Sequence, residues 1–338
     1  MKKLLLGIAA VCLAGFTFAQ DAPLWMRHSV ISPDGTTIAF TYKGDIYTVP
    51  VAGGRAMQIT TNPAYDTAPV WSPDSKRIAF ASDRMGSLDV YIVAKDGGEP
   101  RRLTTHSGSE TPLAFTDAGH VLFSAGIMPS AEAVVFPSNG QFNQVYRVSV
   151  EGGRPTMISS MPMECISINK EGAMLYQDKK GYEDYWRKHH VSPIARDIWM
   201  YTPGKEPQYR QLTTFGGEDR EPVWAPDGKT FYYLSEENGS FNIYRRTPGD
   251  AKAVQLTHYT KNPVRYLSAA TDGRLCYGFD GEIYTLLPGG EAQKVNISIV
   301  SDRNDKDIIR QIKSSGATEM AVSPDGKEVA FVLRGDVY

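Results

Sequence analysis

One motif recurs along this 338-residue chain and leaves few folds open to it. A turn of the type "SPDG" is followed by "xxIAF", a second turn, an Asp-apolar-Tyr triplet, a "GG" pair and an "LT" pair. The first copy reads "ISPDGTTIAF", "GDIYTV" and "GGRAMQIT"; the second "WSPDSKRIAF", "LDVYIV" and "GGEPRRLT". The third ("FTDAGHVLF", "NQVYRV") and fourth ("INKEGAMLY", "RDIWMY") are looser. The fifth ("WAPDGKTFYY", "FNIYRR") and sixth ("ATDGRLCY", "GEIYTL") are clear. The triplet's aromatic falls at Tyr47, Tyr91, Tyr146, Trp199, Tyr244, Tyr284 and Tyr338, a period of 40 to 55 residues. That is the length of a four-stranded propeller blade with variable loops.

Each part of the unit has a local reason. Pro presets φ, Asp bonds the backbone beyond it, and Gly supplies a positive φ, which together make a tight turn. "IAF" and "IYTV" are apolar in runs, as suits strands covered on both faces by neighbouring blades. With 41% hydrophobic and 22% charged residues the chain can build a sizeable core. The expected fold is all-β: a six-bladed β-propeller of four-stranded blades over 20–305, followed over 306–338 by a connection and the first strands of a second propeller. A seventh unit, "VSPDGKEVAF" and "GDVY", stands in mid-blade at the last residue. Either it closes the first ring with the N-terminal segment, or a second propeller starts near residue 310; unpaired edges at "RGDVY" favour a longer protein. The best helix candidate, Ser301 to Ser315, falls between repeats.

The N-terminus reads as a signal peptide over 1–19. A basic "MKK" precedes the apolar run "LLLGIAAVCLAGF", and "TFA" offers cleavage after Ala19. Val11 before Cys12 argues against lipidation. The expected location is exported, and periplasmic in a bacterium with two membranes, with no membrane span once the signal is removed. Net charge of −2 gives no case for a nucleic-acid partner. Cys165 and Cys276 remain, far apart and each in a strand-like run, and are expected as two buried free thiols.

The repeats resemble those of the Tol-system periplasmic propeller, of prolyl oligopeptidase relatives and of tricorn proteases. The third-unit insertion "SAGIMPSAEAVVFPSNGQFNQVYRV", the fourth-unit "KGYEDYWRKHHVSPIARDIW" and the stretch Lys306 to Tyr338 are similar to the N-terminal six-bladed propeller of tricorn-type serine peptidases. That resemblance implies a non-catalytic propeller of an exported serine peptidase. Its role would be gating or guiding peptide substrates and scaffolding assembly, with the catalytic and PDZ-like domains C-terminal to this chain. It also implies peptides or polypeptides as partners, and allows a homo-oligomer. Some relatives carry paired arginines that hold peptide ends. This chain has "SGSETPLAF" there, with Arg101 and Arg102 upstream, and the binding role is not transferred to them. The alternative is a stand-alone periplasmic protein-binding propeller like the Tol-system protein, although a handful of residues replaces the small domain that precedes that propeller.

The stretch Tyr185–Trp199, "YWRKHHVSPIARDIW", is the densest in chemistry. His189 and His190 are adjacent, so in a strand they point to opposite faces, and no HExxH or Cys pair supports a metal. Ser192 follows His190 by two residues, but no glycine-rich oxyanion turn accompanies them. No catalytic residue, metal ligand or cofactor is therefore expected. The favoured reading is a structural insertion at one mouth of the ring, Asp197 matching Asp45, Asp89 and Asp336 in bonding turn amides. The functional reading is a peptide-binding site at that mouth formed by Arg187, Lys188 and Arg196, whose cations would draw a carboxylate. "DRMGS" (Asp83–Ser87) and "EENGS" (Glu236–Ser240) read as equivalent hairpin loops, and Trp71 and Trp224 as core between blades.

Overall fold

A computed structural model describes residues 23–126, 142–181, 191–300, 313 and 315–338. The signal segment 1–19, the core of the third-unit insertion, Arg187, Lys188 and the His189–His190 pair lie outside the described residues, as does nearly all of the helix candidate. Every regular element among the described residues is a strand, so none is a helix long and apolar enough to cross a membrane.

Strands follow one another in six four-stranded antiparallel sheets, each a meander in chain order. Their first strands are Arg27–Ile31, Asp66–Trp71, Glu110–Asp117, Met163–Ile168, Asp219–Trp224 and Arg265–Ala269. Each first strand touches the first strand of the next sheet, and the sixth touches the first, so these six are the innermost strands of a closed ring. The sheets are its blades.

The repeated residues build this ring as the local chemistry requires. In the first turn Gly35, at φ +72°, donates its N–H to Ser32 O at 2.9 Å, and Asp34 Oδ1 accepts from Ser32 Oγ at 2.6 Å. The same Ser–Asp bond recurs at Ser72–Asp74 and Ser323–Asp325. The apolar runs form six separate core clusters, one at each boundary between neighbouring blades. Trp71 and Trp224 lie in two of them, as the repeat led one to expect. Their indole N–H groups donate across the boundary, to Val30 O at 3.0 Å and to Ala173 O at 3.1 Å.

Among the described residues no strand is exchanged to close the ring. Blade 1 packs directly on blade 6, Ile31 and Val49 against Cys276, Ile283 and Val295. Ile31 N donates to Ser268 Oγ at 3.1 Å, and Thr271 donates from N and Oγ1 to Pro33 O at 2.9 and 2.7 Å. Ile297–Ser298 adds a short parallel bridge to Gly54–Arg55. The "GG" pair is needed there: a Cβ on Gly53, at φ +86°, would lie 2.6 Å from Asn296 O. The seventh repeat forms its own three-stranded sheet, Ala317–Val322, Val329–Leu333 and Asp336–Val337, apart from the six blades. Its hairpin touches blade 2, where Arg334 Nη2 sits 2.6 Å from Asp83 Oδ2.

Candidate functional site

The six innermost strands enclose the axis, and all six carry a register slip against the second strand: between Arg27 and Val30, Thr67 and Val70, Pro112 and Ala114, Glu164 and Ser167, Arg220 and Val223, and Arg265 and Ser268. Five of these bulges hold a residue at φ near +50°: His28, Ala68, Cys165, Glu221 and Tyr266. A bulge sharpens local twist and re-aims side chains, and these gather around the axis. The His28 ring is 5.0 Å from that of Tyr266, and its Nδ1 is 3.1 Å from Thr67 Oγ1. Burial and the neighbouring Arg27 push the His28 pKa down to about 4, so it stands neutral at physiological pH.

The opposite wall is ionic. Arg196 Nε lies 3.3 Å from Glu164 Oε2 and its Nη1 3.5 Å from Glu218 Oε1; Arg220 Nε lies 2.9 Å from Glu218 Oε2. Gln177 donates to Glu164 at 3.0 Å and accepts from Glu221 N at 2.9 Å, while Glu221 Oε2 accepts from Leu267 N at 2.8 Å. One polar belt thus ties blades 4, 5 and 6 together. Cys165 is exposed within it, which corrects the expectation of a buried thiol there: its bulge turns the side chain out of the sheet packing. Desolvation by the protein mass around the channel, with Glu221 and Glu164, raises its pKa well above the usual thiol range although the side chain is exposed. Cys276 is buried, and both cysteines are free.

Arg196 is 5% exposed, and its guanidinium already faces Glu164 and Glu218. It shares Glu218 with Arg220, and its expected companions Arg187 and Lys188 lie outside the described residues. Ser192 is a turn residue whose Oγ accepts from Ile194 N at 3.2 Å. Among the described residues no group of His, Cys, Asp and Glu could hold a metal ion. What the channel wall offers is contact and hydrogen bonding with mixed charge.

A closed ring of six such blades has counterparts. The model of the tricorn protease N-terminal beta propeller domain matches residues 23–292. The chain belongs to that family. Tricorn protease homolog 1 of Streptomyces coelicolor is 26% identical over 289 residues, covering 84% of this chain and 26% of the relative. Tricorn protease of Thermoplasma acidophilum is 25% identical over 329 residues, covering 93% of this chain and 29% of the relative. The chain therefore spans between a quarter and a third of the length of these relatives. The crystal structure of the tricorn protease superposes with a TM-score of 0.70 at 20% identity over 93% of this chain and 30% of that one. TolB of Acinetobacter baumannii does so at 0.59 and 14% identity over 77% of this chain and 63% of that one, which shows a shared propeller fold.

In this tricorn-family propeller Asp45 and Asp197 each meet the Thr of the following "LT" pair, a partner that the turn-amide expectation did not include, whereas Asp89 faces Arg102. Thr60 Oγ1 accepts from Ile46 N at 3.0 Å and lies 3.4 Å from Asp45 Oδ1; Thr213 repeats this with Ile198 N and Asp197. Blade 5 substitutes Asn242, whose Oδ1 accepts from Thr257 Oγ1 at 2.9 Å. The recurring Thr was the signal, since Asp and Thr appear together in copy after copy. Beside these clasps sit buried acids at the head of three innermost strands, Asp66, Glu110 and Asp219. Sequence reasoning passed over all three. Burial, with Asp89 beside it, raises Glu110 to about 7. Arg101 and Arg102 are spent nearby, on Glu151 at 2.7 Å and Asp89 at 2.8 Å.

Proposed function

We propose that this chain is the non-catalytic propeller portion of an exported tricorn-like serine peptidase, and that it guides peptide substrates along its axis and scaffolds assembly with further domains. The observation that carries this is the axial wall itself: six bulged strands presenting apolar, aromatic and paired ionic groups. Such a wall favours passage of an extended polypeptide, whose backbone finds hydrogen-bond partners all round it while no single contact is strong enough to hold it. Belonging to the tricorn N-terminal family supports the same reading. Periplasmic location is part of the proposal and rests on the basic and apolar N-terminal residues.

The experiment uses the longer gene product. Attaching a bulky uncharged maleimide at Cys165 is expected to slow cleavage of long peptides and leave a dipeptide-sized fluorogenic substrate unaffected. Equal rates for long peptides before and after attachment would refute guidance through the axis. Fractionation that finds the processed protein in the cytoplasm would refute export.

A further inference from the structure

Blades 2 and 5 carry equivalent six-residue loops between their second and third strands, residues 83–88 and 236–241, and the two loops are built alike. Gly86 N donates to Asp83 O at 2.9 Å and Gly239 N to Glu236 O at 2.8 Å; the glycines have φ of +109° and +103°. The next backbone N–H meets the same serine, Arg84 N to Ser82 Oγ and Glu237 N to Ser235 Oγ. Below each loop lies the same pair of facing aromatics in register, Phe80–Tyr91 and Tyr233–Tyr244. Their ring centroids are 5.9 and 5.8 Å apart. At the floor lies the same buried acid, Asp66 opposite Ser82 and Asp219 opposite Ser235.

In blade 2 this seat is taken. Arg84 Nη2 reaches both oxygens of Asp66, at 3.1 and 3.0 Å, and its guanidinium lies 4.5 Å from the Tyr91 ring centre and 5.6 Å from that of Phe80. In blade 5 the residue at the Arg84 position is Glu237. Among the described residues no side chain takes the guanidinium's place: a cavity of about 540 Å³ opens there, lined by Asp219, Glu237, Tyr233 and Tyr244, with Arg246 and Lys252 also on its wall. Asp219 is 1% exposed, and its Oδ1 is buried with no hydrogen-bond partner among the described residues. Two carboxylates and two aromatic rings face a space that in blade 2 is filled by a guanidinium from the chain itself.

We infer that the blade 5 cavity is a receptor for the arginine side chain of a peptide. The incoming guanidinium would take the place that Arg84 holds in blade 2, bonded to Asp219 and lying against Tyr244. Glu237 adds a second carboxylate. Arg246 donates to Asp250 O through Nε and Nη2, and with Lys252 is suited to the carbonyl oxygens of the arriving peptide. The volume suits one arginine residue with its flanking peptide groups. This site is lateral to the axis and does not rest on the channel reading.

Calorimetric titration of the chain with N-acetyl-L-arginine amide tests it, with the citrulline and lysine analogues as controls. Citrulline keeps the shape and loses the charge; lysine keeps the charge and loses the planar fork. Saturable binding of the arginine amide in the millimolar range or tighter is expected, with both analogues weaker by about tenfold or more. Asp219→Asn, which is isosteric, is expected to weaken the arginine amide about tenfold. Glu237→Arg should abolish binding while raising the melting temperature, because the variant would fill its own seat as Arg84 does. No saturable binding by the unaltered chain, equal binding of citrulline, or undiminished binding by Asp219→Asn would each overturn the inference. Should Glu237→Arg fail to fold, Asp219→Asn and the citrulline control still decide it.

Discussion

Replacing Asp219 by Asn should stabilise the fold, and by an amount that grows with pH. Asp219 is 1% exposed, and burial is the main cause that raises its pKa from 3.8 to about 7, with Asp197 adding to it and the Ser235 and Thr213 hydroxyls opposing it. The native state therefore holds this proton more tightly than the unfolded chain does. Unfolding free energy falls as pH rises from about 4 to about 7, and the contribution is level above that window. Asn is neutral throughout and mimics the protonated acid. The gap between variant and parent should open by about 1.4 kcal/mol per pH unit across the window, reaching about 4 kcal/mol at pH 8. Glu110, also raised to about 7, titrates in both proteins and cancels in the difference. Urea denaturation at pH 5, 6, 7 and 8 reads the gap directly. A gap that stays constant with pH, or a variant less stable than the parent at pH 8, would refute the reasoning.

Three further outcomes are expected. Thr257→Val removes the hydroxyl that accepts from Ile243 N and donates to Asn242, and should cost about 2 kcal/mol by urea denaturation because both partners are buried. Arg196→Ala leaves Glu218, whose side chain is 2% exposed, with one cation fewer, and should cost about 3–5 kcal/mol; a loss under about 1 kcal/mol would mean the guanidinium is free for other work. Neutral N-ethylmaleimide should label Cys165 slowly and leave Cys276 untouched in the native protein, whereas an anionic disulfide reagent should react more slowly still beside Glu164 and Glu221; equal labelling of both cysteines, read by mass spectrometry, would contradict the exposure difference.

The spacing of the aromatic in Asp-apolar-Tyr, the Pro-Asp-Gly turns and the "GG" pairs sufficed to count blades and mark strands, because those features are local: turn chemistry and strand burial act over a few residues. The Trp71 and Trp224 contacts were legible for the same reason, each preceding an equivalent Pro-Asp turn. Cys165 was misjudged because its strand looks apolar and regular, and only the bulge after Glu164 turns it toward the axis. The repeated Asp was assigned to its own turn, whereas its partner Thr lies about 15 residues on, at the end of a different strand.

Sequence alone determined the repeat, its length, the all-β class and the equivalence of the "DRMGS" and "EENGS" loops. The tertiary structure decided how the ring closes, by direct packing of blade 1 on blade 6 through side-chain and backbone bonds between residues more than 200 positions apart. It also decided what two equivalent loops are worth. Arg84 and Glu237 hold the same position in two strings that differ at three of five letters, and a string does not say what stands beneath a loop. Only with Asp66 and Asp219 brought up from the neighbouring innermost strand does one loop become a filled seat and the other an open one, because the acid and the loop meet across a strand pairing that the local pattern does not encode.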